Sequence, residues 1–100
     1  MDREITFSPR AQTHLRNIVE YLFNEFGEAT LRRFHLRLNK FCETVLITPD
    51  IYSFANSKRN LRRCVLTKQS IIYYRVHKNT VEIVAVFDTR QNPNRLKGLI

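Results

Sequence analysis

Seven side chains in the second half of the sequence are of the types that could do chemistry together: Arg62, Arg63, Lys68, Tyr73, Tyr74, Arg75 and Arg90. Guanidinium groups bind phosphate bidentately and aromatic rings stack on bases, so this set could grip a single-stranded nucleic acid. A metal-free nuclease could be built from the same parts, with a Tyr or Lys assisting a 2′-hydroxyl and an Arg stabilising the transition-state phosphate. Two competing roles stand beside these. Tyr is common in strands for packing alone, so at least one of Tyr73 and Tyr74 is expected to be structural. Arg90 lies two residues from Asp88 and could be held in an ion pair.

Other chemistries lack their residues. Glu82 and Asp88 are the only acids after residue 55 and do not form a catalytic carboxylate pair. No GxSxG, HExxH, Walker or GxGxxG pattern occurs, and two glycines in the whole chain leave no phosphate-cradling glycine loop. Cys42 and Cys64 have neither CxxC nor Cys/His ligand spacing, which points to free thiols. His14 and His35 have no ligand partner at i+3 or i+4 and are expected at the edges of apolar stripes. Neither a metal nor a cofactor is expected.

Charge is distributed unevenly. Residues 1–55 hold seven basic and seven acidic side chains, whereas residues 56–100 hold ten basic and two acidic ones, so the net charge of +8 belongs to the second half. A one-sided basic surface of this kind suits a polyanionic partner, either nucleic acid or an acidic protein segment. No apolar run reaches the roughly 20 residues that span a bilayer, and MDREITFSPR lacks the apolar centre of a signal peptide, so a cytoplasmic protein with no membrane partner is expected. One hundred residues without repeat, linker or low-complexity tract make one domain, 1–100.

The elements that must position these side chains can be read in order. Glu4–Phe7 alternates as a short strand, and Ser8-Pro9 supplies an N-cap and a first-turn proline. Ala11, Leu15, Ile18, Leu22 and Phe26, widened by Val19 and Phe23, form the stripe of a helix that Gly27 closes. A second helix runs from Glu28 to Ile47 on Leu31, Phe34, Leu38, Phe41 and Val45, with Arg32, Arg33, Arg37, Lys40 and Glu43 on its other face. Thr48-Pro49 stops it, and Asp50–Asn60 reads as a polar connection anchored by Ile51, Tyr52 and Phe54. Leu61–Thr67, Ser70–Val76 and Val81–Phe87 then form an antiparallel meander, the last of them interior to the sheet. The expected fold is α+β: a helical hairpin on one face of a four-stranded sheet, with the other face partly open and lined by Arg and Tyr.

Ile5-Thr6-Phe7-Ser8 followed by Ala11, Leu15 and Ile18-Val19-Glu20-Tyr21, then Thr48-Pro49, Leu61-Arg62-Arg63, Ile71–Val76 and Val81–Phe87 running into Asp88-Thr89-Arg90-Gln91-Asn92-Pro93, resembles the RelE/ParE superfamily. These are toxins of bacterial type II toxin–antitoxin modules, often called plasmid stabilisation proteins. The resemblance covers nearly the whole chain and implies the same hairpin-on-sheet fold. For a RelE-like ribosome-dependent endoribonuclease it would place Arg63, Lys68, Tyr74 and Arg90 around the scissile phosphate of mRNA. Arg90 matches the arginine that ends the last strand in that branch, but Leu96 falls where its C-terminal tyrosine would be, and no Tyr follows Tyr74. The ParE-like branch is closer in its FSxxA start, long helical hairpin and Arg-rich first meander strand. It implies inhibition of DNA gyrase by binding, without a small-molecule substrate, and Arg62, Arg63, Arg75, Arg90 and Arg95 would form a target- or antitoxin-binding surface. Either branch implies neutralisation by a cognate acidic antitoxin. An inactive homologue that only binds is the third reading.

Overall fold

The computed structural model describes residues 3–91 together with Asn94 and Gly98. Its elements are β1 (Glu4–Phe7), α1 (Pro9–Phe26), α2 (Glu28–Ile47), β2 (Phe54–Asn56), a 3-10 turn (Ser57–Arg59), β3 (Leu61–Thr67), β4 (Ser70–Val76) and β5 (Thr80–Asp88). The sheet has five strands in the order β1-β5-β4-β3-β2. All neighbours are antiparallel except β1, which runs parallel to β5. The expected sheet of four strands therefore gains one. β2 lies inside the segment read as a polar connection, and only Phe54↔Arg62 and Asn56↔Leu61 pair it to β3 across an irregularity. A three-residue strand has too little alternation to be seen in sequence.

The two helices pack on one face because their stripes need one shared surface. Ala11, Ile18, Phe34, Leu38, Phe41 and Val45 meet Cys64, Leu66, Ile72, Tyr74, Val81, Ile83 and Val86 in a single core. The hairpin is closed at Gly27, whose φ of 87° with ψ of −175° is a conformation left to glycine, and whose N–H donates to the Leu22 and Phe23 carbonyls. The last turn of α1 is not covered: Phe23 and Phe26, expected in the buried stripe, are 54% and 59% exposed.

The opposite sheet face is open at Arg63, as expected, but its tyrosine is not exposed. β5 carries a bulge, since Tyr73 pairs with Ala85 and Tyr74 with Ile83, leaving Val84 without a partner. Val84 and Ala85 both join Leu61, Tyr73 and Phe87 in a second, smaller cluster on that face. Tyr73 is only 4% exposed there. The extra residue turns an apolar side chain toward this face, and the tyrosine packs on it instead of standing in solvent.

Ser8 joins the layers. Its Oγ accepts from the Ala11 N–H at 3.0 Å, which caps α1, and donates to the carbonyl of the bulged Val84 at 2.7 Å. The Ser8 N–H also donates to Ile83 O at 2.9 Å. Six residues on, the Val86 N–H donates to His14 Nδ1 at 3.1 Å, so α1 satisfies the edge of β5 beyond the end of β1. Ser8→Ala removes a cap and leaves the Val84 carbonyl short of a donor. A loss of about 1–2 kcal/mol is expected in urea unfolding, whereas Thr13→Ala, on exposed α1 surface, should stay within about 0.5 kcal/mol.

Candidate functional site: a basic cleft between the helical hairpin and the sheet end

Where the hairpin overhangs the β3–β4 turn, the layers part into a cleft of about 460 Å³. Ile18, Tyr21 and Leu22 of α1 form one wall, and Thr30, Arg33, Phe34 and Arg37 of α2 another. Thr67–Ser70 of the turn, with Asp88 and Arg90 after β5, close the remaining side. The turn and the end of β5 are tied together. Thr89 N–H donates to Gln69 O at 2.9 Å and Thr89 Oγ1 to Lys68 O at 3.1 Å, so Lys68 and Arg90 belong to one rigid rim.

Arg90 is the most constrained group of this rim. Its Nε and Nη2 donate to Asp88 Oδ1 and Oδ2 at 3.0 and 2.7 Å, and its backbone N–H donates to Oδ1 at 2.9 Å. Its Nη1 donates to the Tyr21 hydroxyl, and the guanidinium carbon lies 4.1 Å from the centre of the Tyr21 ring. The hydrogen bonds from Arg90 hold the Asp88 carboxyl below its ordinary value of 3.8, against the opposing effect of burial. The same bonds raise the Arg90 guanidinium above its ordinary value. Arg90 is thus a fixed cation stacked on α1, oriented before any ligand arrives.

The other cations keep spare donors. Arg33 Nη2 donates to Thr30 Oγ1 at 3.0 Å and Arg37 Nη1 to Leu66 O at 3.3 Å. Both guanidiniums retain further N–H groups. Among the described residues, four cations therefore line the cleft, and the single carboxylate there is the one Arg90 already occupies. Elsewhere the chain does pair such groups, as Arg32 does with Glu28 one turn away. Among the described residues no cluster of His, Cys, Asp and Glu could hold a metal ion, and no helix is long and apolar enough to cross a membrane.

The residues singled out in sequence divide among three places. Lys68 and Arg90 come together in the cleft. Arg63 is exposed on the opposite face, where it pairs across strands with Tyr73. Arg75 Nε donates to Arg59 O at 3.0 Å beside it. Arg62 is pinned: Nη1 donates to Tyr52 O at 2.6 Å and Asp50 O at 3.2 Å, and its guanidinium lies 3.9 Å from the Phe54 ring centre. Tyr74 is inside the main core with no exposed surface. Its ring packs edge-on against Phe41 and Tyr52, and its hydroxyl donates to Pro49 O at 2.9 Å. Burial pushes the hydroxyl up to about 12. Arg95 lies outside the described residues.

Tyr21, Arg33 and Arg37 were not marked as site residues in sequence, although Arg33 and Arg37 sit at i and i+4 and so share a helix face. That spacing was a signal, but nothing in sequence said that a β-turn would stand opposite it.

A family model for the ParE toxin of the type II toxin–antitoxin system parDE matches residues 5–93. The chain belongs to this toxin family. Among solved structures it is similar to the chromosomal ParDE system of P. aeruginosa, at a TM-score of 0.69 and 10% identity over 86% of this chain and 95% of that one. It is also similar to the E. coli DinJ–YafQ toxin–antitoxin complex, at 0.57 and 12% identity over 90% and 96%. A conserved hypothetical protein of Helicobacter pylori, HP0894, follows at 0.58 and 16% over 91% and 98%. At such identities these likenesses speak for the fold alone. No curated protein matches the sequence.

The Asp88–Arg90 pair carries a pH signature with a definite sign. A carboxyl held low in the folded state stabilises it above its unfolded value near 4, and that contribution is lost as pH falls through the folded value. Asp88→Asn should therefore flatten the loss of melting temperature below pH 4. The effect should be under about 1 kcal/mol, because the Arg90 side chain is still 44% exposed and the pair is partly screened.

Proposed function

We propose that this toxin acts by binding, as an inhibitor of DNA gyrase, and that a cognate acidic antitoxin neutralises it. The observation that carries this reading is the scatter of the side chains a ribonuclease would need. Lys68 and Arg90 share the cleft, Arg63 is on the far face of the sheet, and the Tyr74 hydroxyl is committed to Pro49 O inside the core. General acid–base catalysis needs its groups within hydrogen-bond reach of one reacting atom, and these four are not gathered around one. A binding inhibitor needs only a surface. Match to a ParE family model over residues 5–93 supports the same branch.

The antitoxin part rests on family membership and on charge. The similar P. aeruginosa and E. coli structures are of toxin–antitoxin systems. Exposed Arg63, with Arg62 and Arg75 nearby and Arg90 at the cleft rim, offers basic surface to an acidic partner. The second reading, a RelE-like endoribonuclease acting on mRNA at the ribosome, draws support from the pairing of Lys68 with Arg90 and from the likeness to YafQ. A family member that has lost activity and only binds is the third.

Purified protein incubated with gyrase and supercoiled plasmid, and in parallel with programmed ribosomes and mRNA, separates the three. Inhibition of gyrase with intact mRNA is expected. Codon-dependent mRNA cuts with gyrase unaffected would instead establish the nuclease reading, and silence in both assays the third. Tyr74→Phe bears on the same question. It should cost about 1 kcal/mol of stability through the unmet Pro49 carbonyl and leave toxicity on expression intact. Loss of toxicity from a folded Tyr74→Phe protein would count against inhibition by binding.

A further inference from the structure

We infer that the cleft between the hairpin and the β3–β4 turn is a binding site for one phosphorylated nucleotide, with the phosphates on the arginines and lysine and the base against the apolar wall. Three observations lead to this. Its volume of about 460 Å³ is in the range of small-ligand pockets, about 300–1,000 Å³. Among the described residues its charge is uncompensated: Arg33, Arg37, Lys68 and Arg90 face a single carboxylate, that of Asp88, whose oxygens are both taken by Arg90. Like charges held in one cavity repel each other, and a ligand with two or more negative charges relieves that repulsion while meeting the spare N–H donors.

The third observation is the layout. The cations come from three directions, with Arg33 and Arg37 on successive turns of α2, Lys68 on the turn and Arg90 after β5. Ile18, Leu22 and Phe34 form an apolar wall beside them. A ligand that is charged at one end and flat and apolar at the other fits this arrangement. Inorganic phosphate would use only the cations, and an acidic side chain would bring one charge where the described lining presents three cations without a carboxylate partner. The chain has no glycine loop to cradle phosphate with backbone N–H groups, so side chains take that role here, with Arg90 positioned by Asp88 and Tyr21. The site is separate from the exposed Arg63 surface, and its occupation does not depend on whether gyrase or the ribosome is the target.

Calorimetric titration of the full chain at low salt tests this with four probes: ADP, inorganic phosphate, a 5′-phosphorylated DNA trinucleotide and a Glu-rich peptide. ADP should bind at least about tenfold more tightly than phosphate. Arg33→Ala and Lys68→Ala should each weaken ADP about tenfold, as expected for one charge-assisted hydrogen bond. Arg16→Ala, on exposed α1 surface, should leave binding unchanged, and far-ultraviolet circular dichroism checks that each variant is folded. Binding of the trinucleotide with the same Arg33 and Lys68 dependence, and more tightly than ADP, would assign the nucleotide to a strand end; weaker binding assigns it to the free pool. Absence of ADP binding at millimolar concentration, ADP affinity untouched by both variants, or equal affinity for phosphate or for the peptide would each overturn the inference.

Discussion

The hydroxyl of Ser8 is the point on which the layers of this protein are aligned. It accepts the Ala11 N–H at the start of α1 and donates to the carbonyl of Val84, the extra residue in the β5 ladder. Helix capping and sheet irregularity are usually separate devices, but here one oxygen serves both. Where β1 ends, the exposed edge of β5 would otherwise carry unmet backbone groups, and Ser8 and then His14 meet them. The bulge has a second effect, since it sends both Val84 and Ala85 to the outer face and gives Tyr73 a surface to pack on. The direction of α1, the smaller cluster on the outer face and the exit of β5 toward Asp88 all follow from this junction.

Because β5 leaves the sheet under the overhang of the hairpin, Arg90 arrives beside Tyr21 and not in open solvent. Asp88 then locks it with two side-chain hydrogen bonds, and Thr89 binds the β3–β4 turn to the same segment. The result is a rim whose cations are oriented by the fold. Preorganised donors lose less freedom on binding an anion than flexible surface lysines do. The same placement separates Arg90 from Arg63, on the far face of the sheet, and from the buried Tyr74 hydroxyl.

Much of the architecture was legible because it rests on local pattern. The Ser8-Pro9 start, the stripes of α1 and α2, the Gly27 break, the Thr48-Pro49 stop and the three meander strands follow from periodicity and turn chemistry. β2 was not legible, since three residues with two pairings leave no period. The exposure of Phe23 and Phe26 was not either. A helical stripe tells which residues share a face, not how far the sheet beneath them extends. At the site, Arg90 and Lys68 were marked by residue type, whereas Arg33 and Arg37 looked like solvated helix surface until a turn stood opposite them.

The sequence by itself determined the α+β class, the order of the principal elements, the concentration of positive charge after residue 55 and the toxin superfamily that its motifs resemble. Only the tertiary structure decided which arginines meet. It also decided that Tyr74 faces the helices and Tyr73 the opposite side, and that β1 runs parallel to β5. The reason is physical. Periodicity and capping act over a few residues, while a cleft joins side chains from residues 18 to 90, and a one-residue bulge at Val84 changes which face a side chain takes without leaving any mark on the strand's composition.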